Sequence, residues 1–434
     1  MTDQESQACN FEDPGSLKDI LELLEKLNDA SSLKKSVGQK LVQDVKKYFK
    51  DTDQFYKDSR SSGFLSTVFS NAYGIRSTIL KNSRTYDKYK NLNDGAHESH
   101  EDQECGEKIS EALKKCLPKA FSVLFFLYFM GSNRLGDISG GAWKNQNVDG
   151  SGRSGQKLYQ WLTDNRLVTP GLIRRGFLDS ELNNSNNGST VAPLIKQIIK
   201  HDSAGALQKA LCYMLFVCPW HDALTGHACL FLHKFCDKVT GGKSLEESFK
   251  KICSNVSFDD LKEVCKNLKE NLNPFVSGTS SGLRAVSQQS TSNLFEDLWD
   301  ESKFEAYCGL LKTILKDLKK SLEKMSQESS AWNPSALSNA STAGPFKYGF
   351  IFGNSGWERD IKNRLEGPLG KLLSSLESLD DCVNDRVSSS AGATAGGVFT
   401  GLFGLGGAGA GAAYGLNLFG FKNFISGLIS SFFK

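Results

Sequence analysis

Apolar residues recur at helical spacing along most of the chain, and short polar stretches separate one apolar run from the next. Asp13 is placed to cap a first helix, and Pro14 suits its first turn. Three amphipathic patterns follow, defined by Leu17, Ile20, Leu21, Leu24 and Leu27, then Leu33, Val37, Leu41, Val45, Tyr48 and Phe49, and then Phe64, Leu65, Val68, Phe69, Ala72, Ile75 and Ile79. Because their connections are short, these helices are predicted to be antiparallel neighbours in a bundle.

The later part of the chain continues in the same way, so the predicted fold class is all-α. Helical patterns recur at 105–131, 156–164, 191–201, 204–218, 222–239 and 258–272, and two long amphipathic patterns lie at 304–325 and 357–379. After a polar tail at 1–13, we predict a Cys-bearing helical domain at 14–272 and a Ser/Gly-rich linker at 273–300. A helical pair at 301–386 should then pair with itself or pack back on the first domain.

A hydrophobic, glycine-rich segment at 387–421 has no charged residue over 35 positions, whereas a membrane-spanning helix needs only about 20 residues. On a helix, Gly407, Gly411 and Gly415 would form a flat stripe where another membrane helix can pack closely. Residues 422–434 form an amphipathic tail suited to a membrane interface. A lipid-anchor signal is the alternative, although its hydrophobic tail should be about 10–20 residues long and apolar to its end.

Other signals for membrane insertion or export are weaker. The charge-free run at 120–132 has 13 residues, which is too short for a bilayer and fits a buried core helix better. Residues 1–15 are polar and acidic, without the basic and apolar regions of a standard signal peptide. Export would therefore depend on the C-terminal segment, on the run at 120–132, or on an unusual route.

The charge balance gives no reason to expect nucleic acid as a partner. The chain has 434 residues with 52 basic and 49 acidic side chains, for a net charge of +3. A nucleic-acid-binding protein usually shows a stronger basic excess or a basic patch. The length leaves room for two or three domains and a sizeable core.

Cysteine and histidine are densest at 212–236, and zinc would be the first metal to consider there. The spacing includes no CxxC and no HxxxH, so no metal site is predicted. Interhelical disulfides are the favoured interpretation, with candidates Cys105, Cys116, Cys212, Cys218, Cys229, Cys236, Cys253 and Cys265. Cys229 and Cys236 lie about 10.5 Å apart along a helix, so each would need a partner from another helix. Buried free thiols are the alternative.

Catalysis has little support in the sequence. Cys218 and His221 are close enough in the chain to suggest a nucleophile and its base. No flanking motif or third orienting residue accompanies them, and the sequence has no phosphate-loop motif and no HExxH motif. We therefore predict a non-enzymatic protein without a cofactor.

Several stretches resemble the secreted antigen family of babesial (piroplasm) parasites. They include PGSLKDILELLEKLN, STILKNSRTYDKY, KKCLPKAFSVLFFLYF, GGAWKNQNV, QKLYQWLTD, GFLDSELN, ALCYMLFVCPWHDALTGHACLFLHKFCDKV and YGLNLFGFKNFISGLISSFF. Together they cover most of residues 14–270 and the C-terminal tail. The resemblance implies a variable antigen, secreted or displayed at the boundary between parasite and red cell, without enzymatic activity or assigned functional residues.

These observations lead to two functional hypotheses. The first is a secreted or membrane-anchored antigen that takes part in host–parasite interaction or immune evasion, with a host receptor or antibody binding the loops at 82–104, 131–155 and 178–190. The second is a membrane-active protein that inserts through its C-terminal segment and forms a homo-oligomer through its glycines.

Overall fold

The structure is a computed structural model of the chain. It describes residues 9, 11–49, 52–53, 55–57, 63–81, 88–90, 92, 100–131, 162, 174–182, 194–195, 214–241, 246, 257–277, 283–285, 303–330, 332, 344–352 and 361–384. The helices within these ranges are α1 (Leu17–Asp29), α2 (Ser31–Lys46), α3 (Phe64–Ile79), α4 (His100–Gly131), α5 (Thr225–Gly241), α6 (Phe258–Ser277), α7 (Phe304–Ser329) and α8 (Ile361–Asn384). Two three-residue strands, β1 (Leu283–Ala285) and β2 (Phe350–Phe352), pair antiparallel. The prediction of an all-α fold is confirmed for this part of the chain.

Helices α1 to α4 form an N-terminal helix group, in which α1 packs on α3 and α2 packs on α4. The apolar positions predicted to define α1 are all buried. The start of α1 differs from the prediction, because Ser16 rather than Asp13 is the N-cap. Its hydroxyl accepts a hydrogen bond of 3.1 Å from the backbone N–H of Asp19, which satisfies one of the free donors of the first turn.

Helices α5 to α8 form a C-terminal helix group. α6 packs against both α5 and α8, and α7 packs against α8 and α5. Two of these helices, α5 and α6, belong to the stretch that was predicted to form one domain with α1 to α4. The two helices within 301–386 therefore pack on each other and also onto the end of the predicted first domain, so both arrangements considered from the sequence are present.

The predicted linker at 273–300 contains ordered structure at two places. Helix α6 continues to Ser277, five residues beyond the predicted end, with Pro274 inside it. Strand β1 follows, with Leu283 and Ala285 fully buried, and pairs residue by residue with β2. The Ser/Gly-rich composition concealed both features, and a strand of three residues is too short to show alternation of apolar and polar positions.

Aromatic side chains connect the two helix groups. The ring of Phe216 lies 5.2 Å from Tyr48, 4.9 Å from Phe231 and 5.7 Å from Tyr307. The hydroxyl of Tyr307 donates a hydrogen bond of 2.7 Å to the backbone carbonyl of Tyr48. Buried apolar residues of both groups belong to one continuous core, so the described helices share a single hydrophobic interior.

A close backbone crossing holds residues 344–350 against the start of α5. A Cβ atom at Gly226 would lie 2.3 Å from the carbonyl oxygen of Gly349, which is backbone and cannot move aside easily. Gly349 itself has a φ of 71°, a left-handed conformation that favours glycine. Glycine is therefore required on both sides of this crossing.

Within the described residues, we find no helix that is both long enough and apolar enough to cross a membrane. The hydrophobic segment at 387–421 and the tail at 422–434 lie outside the described residues, as do Gly407, Gly411 and Gly415. The membrane segment therefore stays a prediction.

Candidate functional site

Cys105 forms a disulfide with Cys9, and the two Cα atoms are 5.4 Å apart. Cys9 was not among the predicted disulfide cysteines. It lies in the predicted polar tail, where nothing in the local sequence indicates a partner 96 residues away. The bond ties the N-terminal segment to the second turn of α4.

The segment that follows Cys9 is also held by side chains. The ring of Phe11 stacks on that of Tyr89 at 5.8 Å, and the Tyr89 hydroxyl donates a hydrogen bond of 3.0 Å to the carbonyl of Glu12. The ammonium of Lys115 lies 3.4 Å from the Asp13 carboxylate. The disulfide therefore adds a covalent bond to a segment that already packs against the bundle.

The other cysteines whose side chains the structure describes have free thiols, which departs from the prediction of interhelical disulfides. They are Cys116, Cys218, Cys229, Cys236 and Cys265. Four of the five are buried in the core, where cysteine behaves as a small apolar side chain. The remaining two predicted candidates, Cys212 and Cys253, lie outside the described residues.

The thiols are held in environments that favour the protonated form. Burial raises the pKa of Cys116 to about 12. Burial also raises the pKa of Cys218, although Lys114 opposes that effect electrostatically, and burial alone raises the pKa of Cys229. Since the thiolate is the reactive form, these thiols are poor nucleophiles.

The Cys218–His221 pair, which was considered from sequence and found to have little support, does not have the arrangement of a nucleophile and its base. His221 is the N-cap of a 3₁₀ turn at Asp222–Leu224, and its Nδ1 accepts a hydrogen bond of 3.1 Å from the backbone N–H of Ala223. That nitrogen is therefore engaged in local structure. Together with the raised pKa of Cys218, this geometry gives no support to activation of the thiol.

The most developed polar site is centred on Asp222, and we call it the Asp222 cluster. Its carboxylate accepts hydrogen bonds of 2.9 Å from the Ser321 hydroxyl and 2.7 Å from the Lys324 ammonium. Ser321 in turn accepts a hydrogen bond of 2.9 Å from the indole N–H of Trp220. Burial alone would raise the pKa of Asp222, but the hydrogen bonds from Lys324 and Ser321 outweigh burial and hold it below its usual value.

A second set of contacts extends the Asp222 cluster to Glu328. The ammonium of Lys347 lies 2.7 Å and 2.9 Å from the two oxygens of this carboxylate, and the Tyr348 hydroxyl donates a hydrogen bond of 2.8 Å to it. Lys347 is only 2% exposed. Because a lysine is almost never buried without a partner, this ion pair explains how the 3₁₀ turn at Pro345–Tyr348 packs into the core.

The Asp222 cluster was missed by reasoning from sequence. Its members come from three separate stretches of the chain, and no spacing relates them. Each carboxylate already binds a lysine and a hydroxyl group, so the arrangement fastens α7 to the start of α5 and to residues 345–348. Among the described residues, no group of His, Cys, Asp and Glu is arranged to hold a metal ion.

Helix α5 carries one buried histidine and one half-buried histidine. His227 is 2% exposed, its Nδ1 has no hydrogen-bond partner among the described residues, and burial lowers its pKa to about 3. The Nε2–H of His233 donates a hydrogen bond of 2.9 Å to the side-chain oxygen of Asn273. Burial lowers its pKa, and the bond to Asn273 opposes that effect. Both histidines are therefore neutral at pH 7.

The N-terminal helix group buries charged side chains instead. Glu25 and Arg76 form an ion pair of 3.1 Å with exposures of 2% and 0%. Glu22, also buried, accepts backbone hydrogen bonds of 2.9 Å and 2.8 Å from Lys88 and Tyr89. These contacts fix part of the stretch at 82–104 that was predicted as an open binding loop, and α4 begins within it at His100.

Comparison with known proteins gave no match to a family model, to a curated protein or to a solved structure.

Proposed function

We propose that this chain is a non-enzymatic antigen, secreted or anchored to a membrane, that acts in host–parasite interaction or immune evasion. The observation that carries the proposal is the disulfide between Cys9 and Cys105. Disulfides form and persist in secreted and surface-exposed proteins, whereas reducing compartments keep thiols free. The sequence resemblance to babesial secreted antigens supports the same compartment and supplies the class of protein.

The interior supports a scaffold role. The carboxylates of Asp222 and Glu328 are occupied by lysines and hydroxyl groups of the same chain. The described core thiols with raised pKa values are poorly reactive. These groups stabilise helix packing, and binding would then depend on the segments between helices.

We place the binding segments at 82–104, 131–155 and 178–190. The first and third of these segments are anchored where they are described, because Tyr89 and Leu182 are buried and Leu182 forms a β-bridge with Leu80. Leu178, which begins the third segment, is 57% exposed. Loops on a rigid scaffold are common sites of recognition, since their sequence can vary without disturbing the core.

The test combines surface proteolysis with mapping of cysteine oxidation in cells that make the protein. Intact cells are treated with a protease, and epitopes near each end of the chain are followed. Parallel samples are denatured with an alkylating reagent and digested, and Cys9 and Cys105 are located by mass spectrometry. The proposal predicts that the N-terminal epitope is lost from intact cells and that Cys9 and Cys105 are recovered as a linked peptide.

Two outcomes would contradict the proposal. One is an N-terminal epitope that is protected until the membrane is permeabilised. The other is recovery of Cys9 and Cys105 as separately alkylated thiols from native cells. The alternative of a membrane-active protein depends on Gly407, Gly411 and Gly415, which lie outside the described residues, and no described contact favours it.

A further inference from the structure

The packing of α5 against α6 has a register that two polar contacts define. His233 contacts Asn273 at 2.9 Å, and one turn later the Lys269 ammonium lies 2.5 Å from the Asp237 carboxylate. The later residue of α5 therefore contacts the earlier residue of α6. The two helices are antiparallel, and each contact marks the face that its helix turns toward the other.

Cys236 and Cys265 lie on these facing surfaces. Cys236 directly precedes Asp237, and Cys265 is one helical turn before Lys269. Both side chains are fully buried, and a hydrogen bond with Cys236, together with burial, raises the pKa of the Cys265 thiol. Cys236 and Cys265 therefore face each other across the contact between α5 and α6.

We propose that Cys236 and Cys265 are a dithiol that can be oxidised to an intramolecular disulfide between α5 and α6. The pairing is specific to Cys236. Cys229, two turns earlier on α5, is equally buried, but burial alone raises the pKa of its thiol and no second cysteine contributes. A disulfide between these two cysteines would link the C-terminal half of α5 to the N-terminal half of α6. This inference rests on the α5–α6 contacts and stands independently of the proposed function.

The reaction requires a disulfide oxidant, such as oxidised glutathione or a protein disulfide. The thiolate of one cysteine attacks an oxidant sulfur, which forms a mixed disulfide and releases one oxidant thiol. The second cysteine, as its thiolate, then attacks the sulfur of the first and releases the other oxidant thiol. In total two protons and two electrons pass from the cysteines to the oxidant, which leaves as two thiols.

Access decides when this reaction occurs. Both side chains are closed off in the folded core, so exchange requires opening of the α5–α6 contact or takes place while the chain folds. Refolding in a glutathione redox buffer avoids the barrier, because the thiols meet the oxidant before the core closes.

The test uses the full chain, reduced and denatured, then refolded in a buffer of reduced and oxidised glutathione. The product is trapped with an alkylating reagent under denaturing conditions, digested and analysed by mass spectrometry. We expect one linked peptide that joins Cys9 to Cys105, which shows that oxidation has worked, and a second that joins Cys236 to Cys265. Cys229 should be alkylated in the same molecules.

The proposal is overturned if Cys9–Cys105 forms while Cys236 and Cys265 are both recovered alkylated, or if either is linked to a different cysteine. Because Cys9–Cys105 is scored separately, its own absence would count against the proposed function and not against this pairing.

Matched variants add a second measurement. Oxidation of the wild-type chain that already has Cys9–Cys105 should raise Tm by about 4 °C, as expected for a link between Cys236 and Cys265 in a chain of this length. Cys265→Ala should lose this increase, whereas Cys229→Ala should keep it. An equal increase in Cys265→Ala would contradict the inference, and the peptide mapping of the wild-type chain decides the question if a variant fails to fold.

Discussion

The N-terminal helix group and the interface between α5 and α6 bury polar side chains in different ways. The N-terminal helix group buries full charges, with Glu25 and Arg76 paired in the core. The core of α5 and α6 buries groups that are neutral at pH 7, among them His227 and the thiols of Cys229 and Cys265. A buried charge depends on its partner, whereas a buried neutral group depends on not becoming charged. The N-terminal helix group and the α5–α6 interface should therefore lose stability under different perturbations.

The largest effect is expected from removing one member of the buried ion pair. Arg76→Met leaves the Glu25 carboxylate in the core without its guanidinium, which should cost about 3–5 kcal/mol of unfolding free energy. Urea denaturation at pH 7 measures the change. The double variant Glu25→Leu/Arg76→Met should recover most of the loss, and a double variant as unstable as the single one would contradict this account.

Loss of the disulfide should be the next largest effect. Cys9→Ser removes a covalent link that closes a loop of 96 residues, and native disulfides typically contribute about 2–4 kcal/mol. Thermal or urea unfolding of the oxidised wild-type chain and the variant gives the difference. Cys116→Ser, which removes a free thiol from the same helix, is the control for effects of losing a cysteine that is not in the disulfide. A reducing agent should abolish the difference in stability between Cys9→Ser and wild type.

Acid should act on the C-terminal helix group through His227. Its pKa falls from about 6.5 in the unfolded chain to about 3 in the folded one. The unfolded state therefore binds more protons between these values, and stability is lost as pH falls through this window. At pH 5 the loss should be about 2 kcal/mol.

The measurement is the unfolding free energy at pH 7, 6 and 5 for wild type, His227→Gln and His233→Gln. The first variant should flatten the decline, whereas the second should keep most of it, since the Asn273 contact opposes the effect of burial on His233. An unchanged slope in His227→Gln would show that acid sensitivity arises elsewhere.

The smallest effect is expected at a surface ion pair between α7 and α8. Lys319 and Glu377 lie 2.6 Å apart but are 31% and 56% exposed. Exposed pairs contribute only about 0.2–1 kcal/mol. Lys319→Ala should therefore change urea stability far less than Arg76→Met does, and a change comparable to that of the buried pair would break the comparison between buried and exposed charges.

The helices could be predicted from sequence because their apolar periodicity is strong. In α7, for example, Tyr307, Leu311 and Leu318 are buried as their spacing requires. The pairing of Cys9 with Cys105 and the burial of Lys347 could not be predicted, since each depends on a partner that is distant or unrelated in sequence. Strand β1 was not predicted because a strand of three residues is too short to show alternation of apolar and polar positions.

The candidate sites were predicted less well than the fold. Residue types identified the cysteines of α5 as important but not which of them would meet another cysteine. That outcome depends on the register between α5 and α6, which two polar contacts reveal only in the structure. Asp222 and Glu328 were overlooked because a charged residue on a helical pattern normally faces solvent.

The hydrogen bond between Tyr307 and Tyr48 has a consequence for how the chain is made. Its two residues are 259 positions apart, and a ribosome adds about 5–20 residues per second. Tyr307 is therefore synthesised on the order of tens of seconds after Tyr48. During that interval the helices of the N-terminal group can meet one another, while the aromatic surface around Tyr48 and Phe49 is left uncovered by α7. Newly made chains would be most prone to aggregate in this window, and a chaperone that binds aromatic surfaces would act there.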